Sequence, residues 1–350
     1  MEREDIDLLL DTSHRWFKAN HPLEKRTAAF RSGHHEGEAA WHAMAEMGWT
    51  GLTVPEEAGG FSASNAACFE LIRQAGSDAR PEPLELHLLL APLVIAALPA
   101  HAPALIGGTM RLALAEVANG DGAVRLDKNA ALEGRAGTVF GGEHATHLLV
   151  PVASDQAMRL VLVDLAADGV RRVAARMIDA RAALQVEFHS TPGTQLSGEG
   201  IAQRALDRAA AALVADTAGV LQAAFDLTLD YLKQRHQFGK PLSTQQAVQH
   251  KMAEVFCDLQ QLLALTGRVA NELDSASDGP WPTLAPAKSF VGRRALRALG
   301  QLIQVSGGIA ITEEYKLTHF YRRVHVAAAL FGTAEAQLAR IDVRAQLLVV

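Results

Sequence analysis

Residues 304–333 read QVSGGIAITEEYKLTHFYRRVHVAAALFGT. Gly307 and Gly308 carry no Cβ, so another backbone or a ligand can approach them closely. Glu313 and Glu314 follow, and acidic groups at a helix start stabilise the loop behind them. From about residue 324 to 348, apolar stripes alternate with polar residues, the pattern of a closing amphipathic helix. Upstream, 205–235 is long and Ala-rich, and 244–273 and 286–305 repeat the helical spacing. Four long helices with short connections predict an up-and-down bundle.

Before the bundle the period changes. Arg111 to Glu116 and Leu184 to Phe188 alternate as half-buried strands do, and His147 to Val152 reads as a more fully buried strand. Breaks at Gly120-Asp121-Gly122, Gly141-Gly142 and Gly198-Glu199-Gly200 bound short strands, which suggests a small β-barrel or sandwich. The first hundred residues are helical again. Trp41, Met44, Ala45 and Met47 form a short amphipathic run, 62–75 is a second, and 84–98 is strongly apolar. The expected fold is mainly α with a central β-domain: an N-terminal helical domain (1–108), a small β-barrel (109–198) and a C-terminal four-helix bundle (199–350).

Composition bounds the function. A chain of 350 residues buries more than one core. A net charge of −6 argues against a general nucleic-acid binder. The opening is acidic rather than a basic leader, and the apolar run 84–98 is broken by His87 and Pro92, so no membrane span is expected. Cys68 and Cys257 are too few for a disulfide framework and read as buried thiols of a cytoplasmic protein. The histidines are scattered without a ligand spacing, so no metal site is expected.

Three blocks together resemble the acyl-CoA dehydrogenase family. Trp41-x-x-Met44-Ala-Glu-Met-Gly48-Trp49, followed by Val54-Pro55-Glu56-Glu57-x-Gly59-Gly60, is similar to its N-terminal signature. Arg235-x-Gln237-Phe238-Gly239-Lys240-Pro241-Leu242 is the second block, continuing through Gln246, Gln249, His250 and Met252-Ala253. The third is Gln304, Gly307, Gly308, Thr312, Glu314, Tyr315 and Arg322. The resemblance extends over nearly the whole chain. It implies FAD-dependent α,β-dehydrogenation of an acyl-CoA thioester, with electrons passed to an electron-transfer flavoprotein. It assigns Arg235, whose guanidinium can fork onto phosphate oxygens, to the pyrophosphate of a flavin held by a neighbouring subunit. Phe238 would pack on that cofactor, and Gln304 with Gly307 and Gly308 would complete the contact. Gln246 and Thr333 are weaker candidates, and Gln245 stands where the family usually has Phe.

What is missing matters as much. The family closes with Tyr-Glu-Gly-Thr, whose Glu removes the α-proton; here the tetrad is Leu330-Phe331-Gly332-Thr333. A minority carries its Glu directly after the Arg of the second block, and that position is His236. His236, as an imidazole near neutrality, and Glu335, one turn beyond Phe331, are weak substitutes. The flavin-lining loops of the β-domain are replaced by Ala115-Glu116-Val117-Ala118-Asn119-Gly120-Asp121 and Thr138-Val139-Phe140-Gly141-Gly142. Asp207 lies where relatives contact the acyl or CoA portion, but the usual Arg three residues on is Ala210. The pattern resembles the non-base subunit of heteromeric α2β2 bacterial acyl-CoA dehydrogenases, whose partner subunit supplies the Glu. A homomeric enzyme with an unusual base, or a scaffold of the same fold, remains open.

Overall fold

The computed structural model describes residues 3–20, 27–28, 37–154, 157–276 and 278–341. Its helices are α1 (Arg3–Asn20), α2 (Gly37–Glu46), α3 (Asn65–Ser77), α4 (Leu84–Ala97) and α5 (Ala102–Ile106), then α6 (Ile201–Gln234), α7 (Gln246–Ser275), α8 (Leu284–Phe290), α9 (Leu296–Ser306), α10 (Lys316–Ala329) and α11 (Ala334–Ala339). The chain divides into two compact units. One comprises 1–6, 32–68 and 81–212; the other comprises 7–31, 69–80 and 213–350.

The first unit is built on a nine-stranded sheet, β1 (Leu112–Ala115), β2 (Arg125–Leu126), β3 (Leu132–Arg135), β4 (Val139–Phe140), β5 (His147–Val152), β6 (Arg159–Asp164), β7 (Val170–Arg176), β8 (Ala182–Thr191) and β9 (Thr194–Gln195). The order is β2-β3-β8-β4-β1-β5-β6-β9, with β7 added to β8. One face gathers Ala113, Ala115, Leu148, Val150, Val161, Val163, Leu184, Val186 and Phe188 into a single core. These are every second residue of their strands, as the pleat requires. The alternation expected of Arg111 to Glu116 is not what burial shows: all four residues of β1 are buried. Helix α4 packs on β1, so its second face is covered as well. That helix is apolar on nearly every side, as a mostly buried helix tends to be, with Glu85 and His87 as its buried polar residues.

His87 sits in the first turn of α4, fully buried, its ring edge-on to Trp41 at 5.2 Å between centroids. Neither ring nitrogen has a hydrogen-bond partner among the described residues. Desolvation pushes the imidazole down to about 4, and the nearby backbone of Thr50 and Leu105 offsets little of it. The folded state therefore holds His87 neutral while the unfolded chain takes up a proton below about 6.5. This stability is complete above that value and is lost as pH falls toward 4, a loss on the order of 3 kcal/mol. His87→Leu should flatten the decline of the urea midpoint between pH 7 and pH 4.5. A variant that declines as steeply as the parent would remove His87 from this role.

The second unit contains the bundle. Helices α8 and α9 run on through a π turn at Val291–Ala295, matching the single helix expected at 286–305. Helices α7 and α9 are antiparallel: Arg294, in the π turn leading into α9, donates to Asp258 at 3.0 Å, and two turns on, Gln301 Nε2 donates at 2.9 Å to Glu254, one turn earlier on α7. The last helix departs from expectation. It begins at Lys316, stops at Ala329 and resumes at Ala334, and its expected continuation to 348 lies largely outside the described residues. Cys68 is buried as expected, but Cys257 is exposed on α7. Helix α6 is long and apolar enough to cross a membrane, yet 72% of its most apolar window is buried in the fold, which marks a core helix.

Candidate functional site

Helix α6 ends at Gln234, and a two-stranded hairpin, His236–Gln237 paired with Lys240–Pro241, follows at once. Its two-residue loop is Phe238-Gly239, both at positive φ (56° and 77°), as a type I′ turn demands. Asn-Gly is the common choice there; a Phe in the left-handed region costs on the order of 1–3 kcal/mol. This Phe is also 90% exposed. A strained, solvent-facing aromatic at a hairpin tip is suited to contact something outside the chain. The Leu242 amide donates to the Arg235 carbonyl at 2.8 Å and closes the hairpin, leaving Arg235 exposed beside it. His236 lies in the first hairpin strand, exposed, its Nδ1 3.0 Å from the Gln234 carbonyl.

The Gly-Gly loop reaches the same place. Gly307 breaks α9 with φ +73°, and a Cβ built on Gly307 or Gly308 meets no atom within 4 Å. Both glycines and Gln304 are exposed. Because α7 and α9 are antiparallel, the C-terminal end of α9 lies beside the start of α7, where Gln246 is exposed. Tyr315 ties the loop to α6: its hydroxyl donates to the Leu227 carbonyl at 3.5 Å, and its ring meets Tyr231 at 6.0 Å, one turn before Arg235. Burial, followed by the neighbouring Tyr231 and Asp230, pushes the Tyr315 phenol up to about 12, so it stays a neutral donor. The loop is further clamped by α10. Thr318 donates to the Ala310 carbonyl at 2.6 Å, the His319 ring nitrogen lies 2.9 Å from the Glu313 carbonyl, and Arg322 grips the Glu313 carboxylate with both terminal nitrogens. Glu313, outside the motif, makes this pair rather than Glu314. Arg235, Phe238, Gln246, Gln304, Gly307 and Gly308 thus gather at one end of the bundle.

Thr333 does not join them. The turn between α10 and α11 is held by Lys288, fully buried, whose Nζ donates to the Gly332 carbonyl at 2.9 Å. Gly332 therefore sits beside residue 288, and Gln304 lies 16 residues further along, roughly 24 Å at 1.5 Å per residue. Thr333 caps α11, accepting from the Ala336 amide at 3.3 Å. Phe331 is buried at φ 51°, its carbonyl accepting from Gln337 Nε2 at 3.0 Å. Glu335 is exposed on α11, so the shared helical face expected of Phe331 and Glu335 does not form: the helix breaks between them.

In the first unit, the segments standing where flavin-lining loops would be are packed on each other. The Glu116 amide donates to the Thr138 carbonyl at 2.9 Å. Phe140 is buried under the Arg181 guanidinium, 4.5 Å from its ring centroid, and Arg181 is itself ion-paired to Asp179 at 2.6 Å. Asp207 is half-buried on α6 and accepts from Gln203 Nε2 at 3.0 Å. For a flavin dinucleotide, the exposed bundle end offers a cation, an aromatic face and open glycine backbone, which suit its diphosphate half. The replaced loops carry few hydroxyls for its ring half.

Comparison with known proteins agrees with the fold. The family described as acyl-CoA dehydrogenase, N-terminal domain, matches residues 3–95, and acyl-CoA dehydrogenase, C-terminal domain, matches 197–346. Acyl-CoA dehydrogenase FadE34 of Mycobacterium tuberculosis is 32% identical over 332 residues, 91% of this chain but 45% of FadE34. The chain thus spans less than half the length of that relative. Acyl-CoA dehydrogenase IpdE2 of the same organism is 28% identical, covering 90% of this chain and 89% of its own. Among solved structures, a Tcur3481-Tcur3483 steroid ACAD variant aligns with a TM-score of 0.89 at 26% identity, over 99% of both chains. The ChsE4-ChsE5 complex of M. tuberculosis aligns at 0.88 and 19% identity, over 100% of this chain and 99% of the other. With both terminal domains matched, the fold shared along its length and the motif residues assembled at one end of the bundle, the chain belongs to the acyl-CoA dehydrogenase family.

Proposed function

We propose that the chain is the flavin-completing subunit of a heteromeric acyl-CoA dehydrogenase, one whose partner subunit supplies the catalytic Glu. The observation that carries this reading is the contrast between the motif residues the chain exposes and the carboxylates it lacks. Arg235, Phe238, Gln304, Gly307 and Gly308 face solvent together, available to a cofactor seated in another chain, while Phe331 and His236 leave both base positions without a carboxylate. Phe331 accepts no proton, and Glu335 sits on a different helix segment. FadE34 is consistent with a partner unit, because more than half of it lies outside the match, room for a second unit of this size. Both aligned structures named above are assemblies of two differently named chains.

In this reading Arg235 neutralises the diphosphate of FAD, Phe238 covers part of it, and Gly307 and Gly308 let the backbone come close. Bound at this site, FAD would supply the acceptor for the β-hydride of an acyl-CoA and the route for electrons to an electron-transfer flavoprotein. This chain's task is to retain and orient the cofactor rather than to move a proton. The isolated chain should purify colourless or with substoichiometric flavin, and become part of a yellow, active complex with its partner subunit. Full flavin occupancy and acyl-CoA bleaching of the chain alone would overturn the proposal. Within the complex, Arg235→Ala should raise the dissociation constant for FAD by about tenfold or more, since a charged hydrogen bond contributes roughly 1.5–3 kcal/mol. Unchanged retention would take Arg235 out of the site.

A further inference from the structure

Strand β7, with sequence VRRVAAR, pairs with β8 on one side, and no described strand pairs with its other side. Both of its faces meet solvent: Arg171, Arg172, Val173, Ala174 and Arg176 are all exposed. The ladder with β8 is bounded by the His189 amide donating to the Gly169 carbonyl (3.0 Å) and the Met177 amide donating to the Arg181 carbonyl (3.1 Å). Antiparallel pairing alternates, so Arg171, Val173 and Ala175 bond inward and the amides and carbonyls of Arg172 and Ala174 point to the open edge. We propose that this edge docks an extended acidic segment of a partner protein by strand addition.

Charge selects the occupant. The chain carries a net −6, yet β7 holds three arginines and no acidic residue. The nearby Glu187 is already shared by Arg135 at 2.8 Å and Arg171 at 3.2 Å. Arginines along an edge oppose pairing with a second copy of the same strand, which would bring like charges together. A segment with carboxylates at alternate positions meets attraction instead. Apolar surface asks for cover as well: Val173 is 48% exposed and Ile178, in the turn after β7, is 59% exposed. The fitting ligand is therefore a strand alternating acidic with aliphatic residues, its backbone bonding Arg172 and Ala174 as in other strand-addition complexes.

The test uses the full chain and a fluorescein-labelled peptide of about nine residues alternating glutamate and valine, followed by anisotropy. Saturable binding is expected, weakened about tenfold between roughly 50 and 300 mM salt as screened charges predict. Arg172→Glu should weaken it by about tenfold. Ala174→Pro should abolish it, because it removes an outward amide while leaving the inward ladder to β8 intact. A peptide N-methylated at alternate residues should fail on the unaltered chain, which keeps the test independent of any folding defect in a variant. No saturable binding, equal binding of a lysine–valine peptide, or full binding to Ala174→Pro would overturn the proposal. A fall in sedimentation mass of the peptide-free chain on Ala174→Pro would assign the edge to a second copy and overturn it too.

Discussion

Arg323→Met is expected to destabilise the chain by roughly 3–5 kcal/mol, because it strands a buried carboxylate. Arg323 and Asp216 are each almost wholly buried. The guanidinium donates to both carboxylate oxygens, with Nε at 2.9 Å from Oδ2 and Nη2 at 2.7 Å from Oδ1, and its remaining nitrogen donates to the Arg80 carbonyl at 2.6 Å. One residue thus fastens α10 to α6 and to the chain segment after α3. Removing the cation leaves Asp216 with no compensating charge in a site where water cannot reach it. Asp216→Leu should be costly for the converse reason. The double variant Arg323→Met with Asp216→Leu should recover most of the loss, since buried ion pairs replaced by apolar groups of similar volume are often neutral. Urea unfolding of the four proteins forms a double-mutant cycle. Single variants within about 1 kcal/mol of the parent, or a double variant as weak as the worse single one, would show that the pair is not what holds these helices.

That pair was not legible in the sequence. Asp216 interrupts an Ala-rich stretch of α6 with no cation beside it on the same turn, and its partner lies 107 positions away. Local periodicity reports which face is apolar, not which buried charge will meet which. Elements with strong local signals were legible: α4, α6, α7 and the 284–306 helix lie within a few residues of where spacing put them. Strand β7 was not, since a strand wet on both faces shows no alternation, and β6 reads as a short apolar run that fits either a strand or a helix. The break after Ala329 had a readable sign that periodicity overrode. Gly332, at φ 96°, followed by the N-capping Thr333, is the signature of one helix stopping and another starting. The site divides in the same way. Motif residues marked the exposed cluster at the bundle end, but the separation of Thr333 from it needed Lys288, which no motif singled out.

Gly219→Ala should do comparable damage through geometry alone. Helices α3 and α6 cross so closely that a Cβ on Gly219 would lie 1.8 Å from the Arg73 carbonyl oxygen. From the other side, a Cβ on Gly76 would lie 2.3 Å from the Asp216 carbonyl oxygen. Both obstacles are backbone atoms, so no rotamer change relieves them and the helices must move apart. Overpacking usually costs about 1–3 kcal/mol where side chains can yield; here the expected loss is at or above the top of that range. The shift also pulls on the Asp216–Arg323 pair one turn away, so the two defects should be non-additive. Gly267→Ala is the matched control. It lies on α7, exposed, with no atom within 4 Å of the added methyl, and should be neutral or stabilising by up to about 1 kcal/mol through helix propensity. Equal urea midpoints for Gly219→Ala and Gly267→Ala would mean that the crossing tolerates a methyl group. A selective collapse of Gly219→Ala would show that the approach of α3 to α6 depends on having no side chain there.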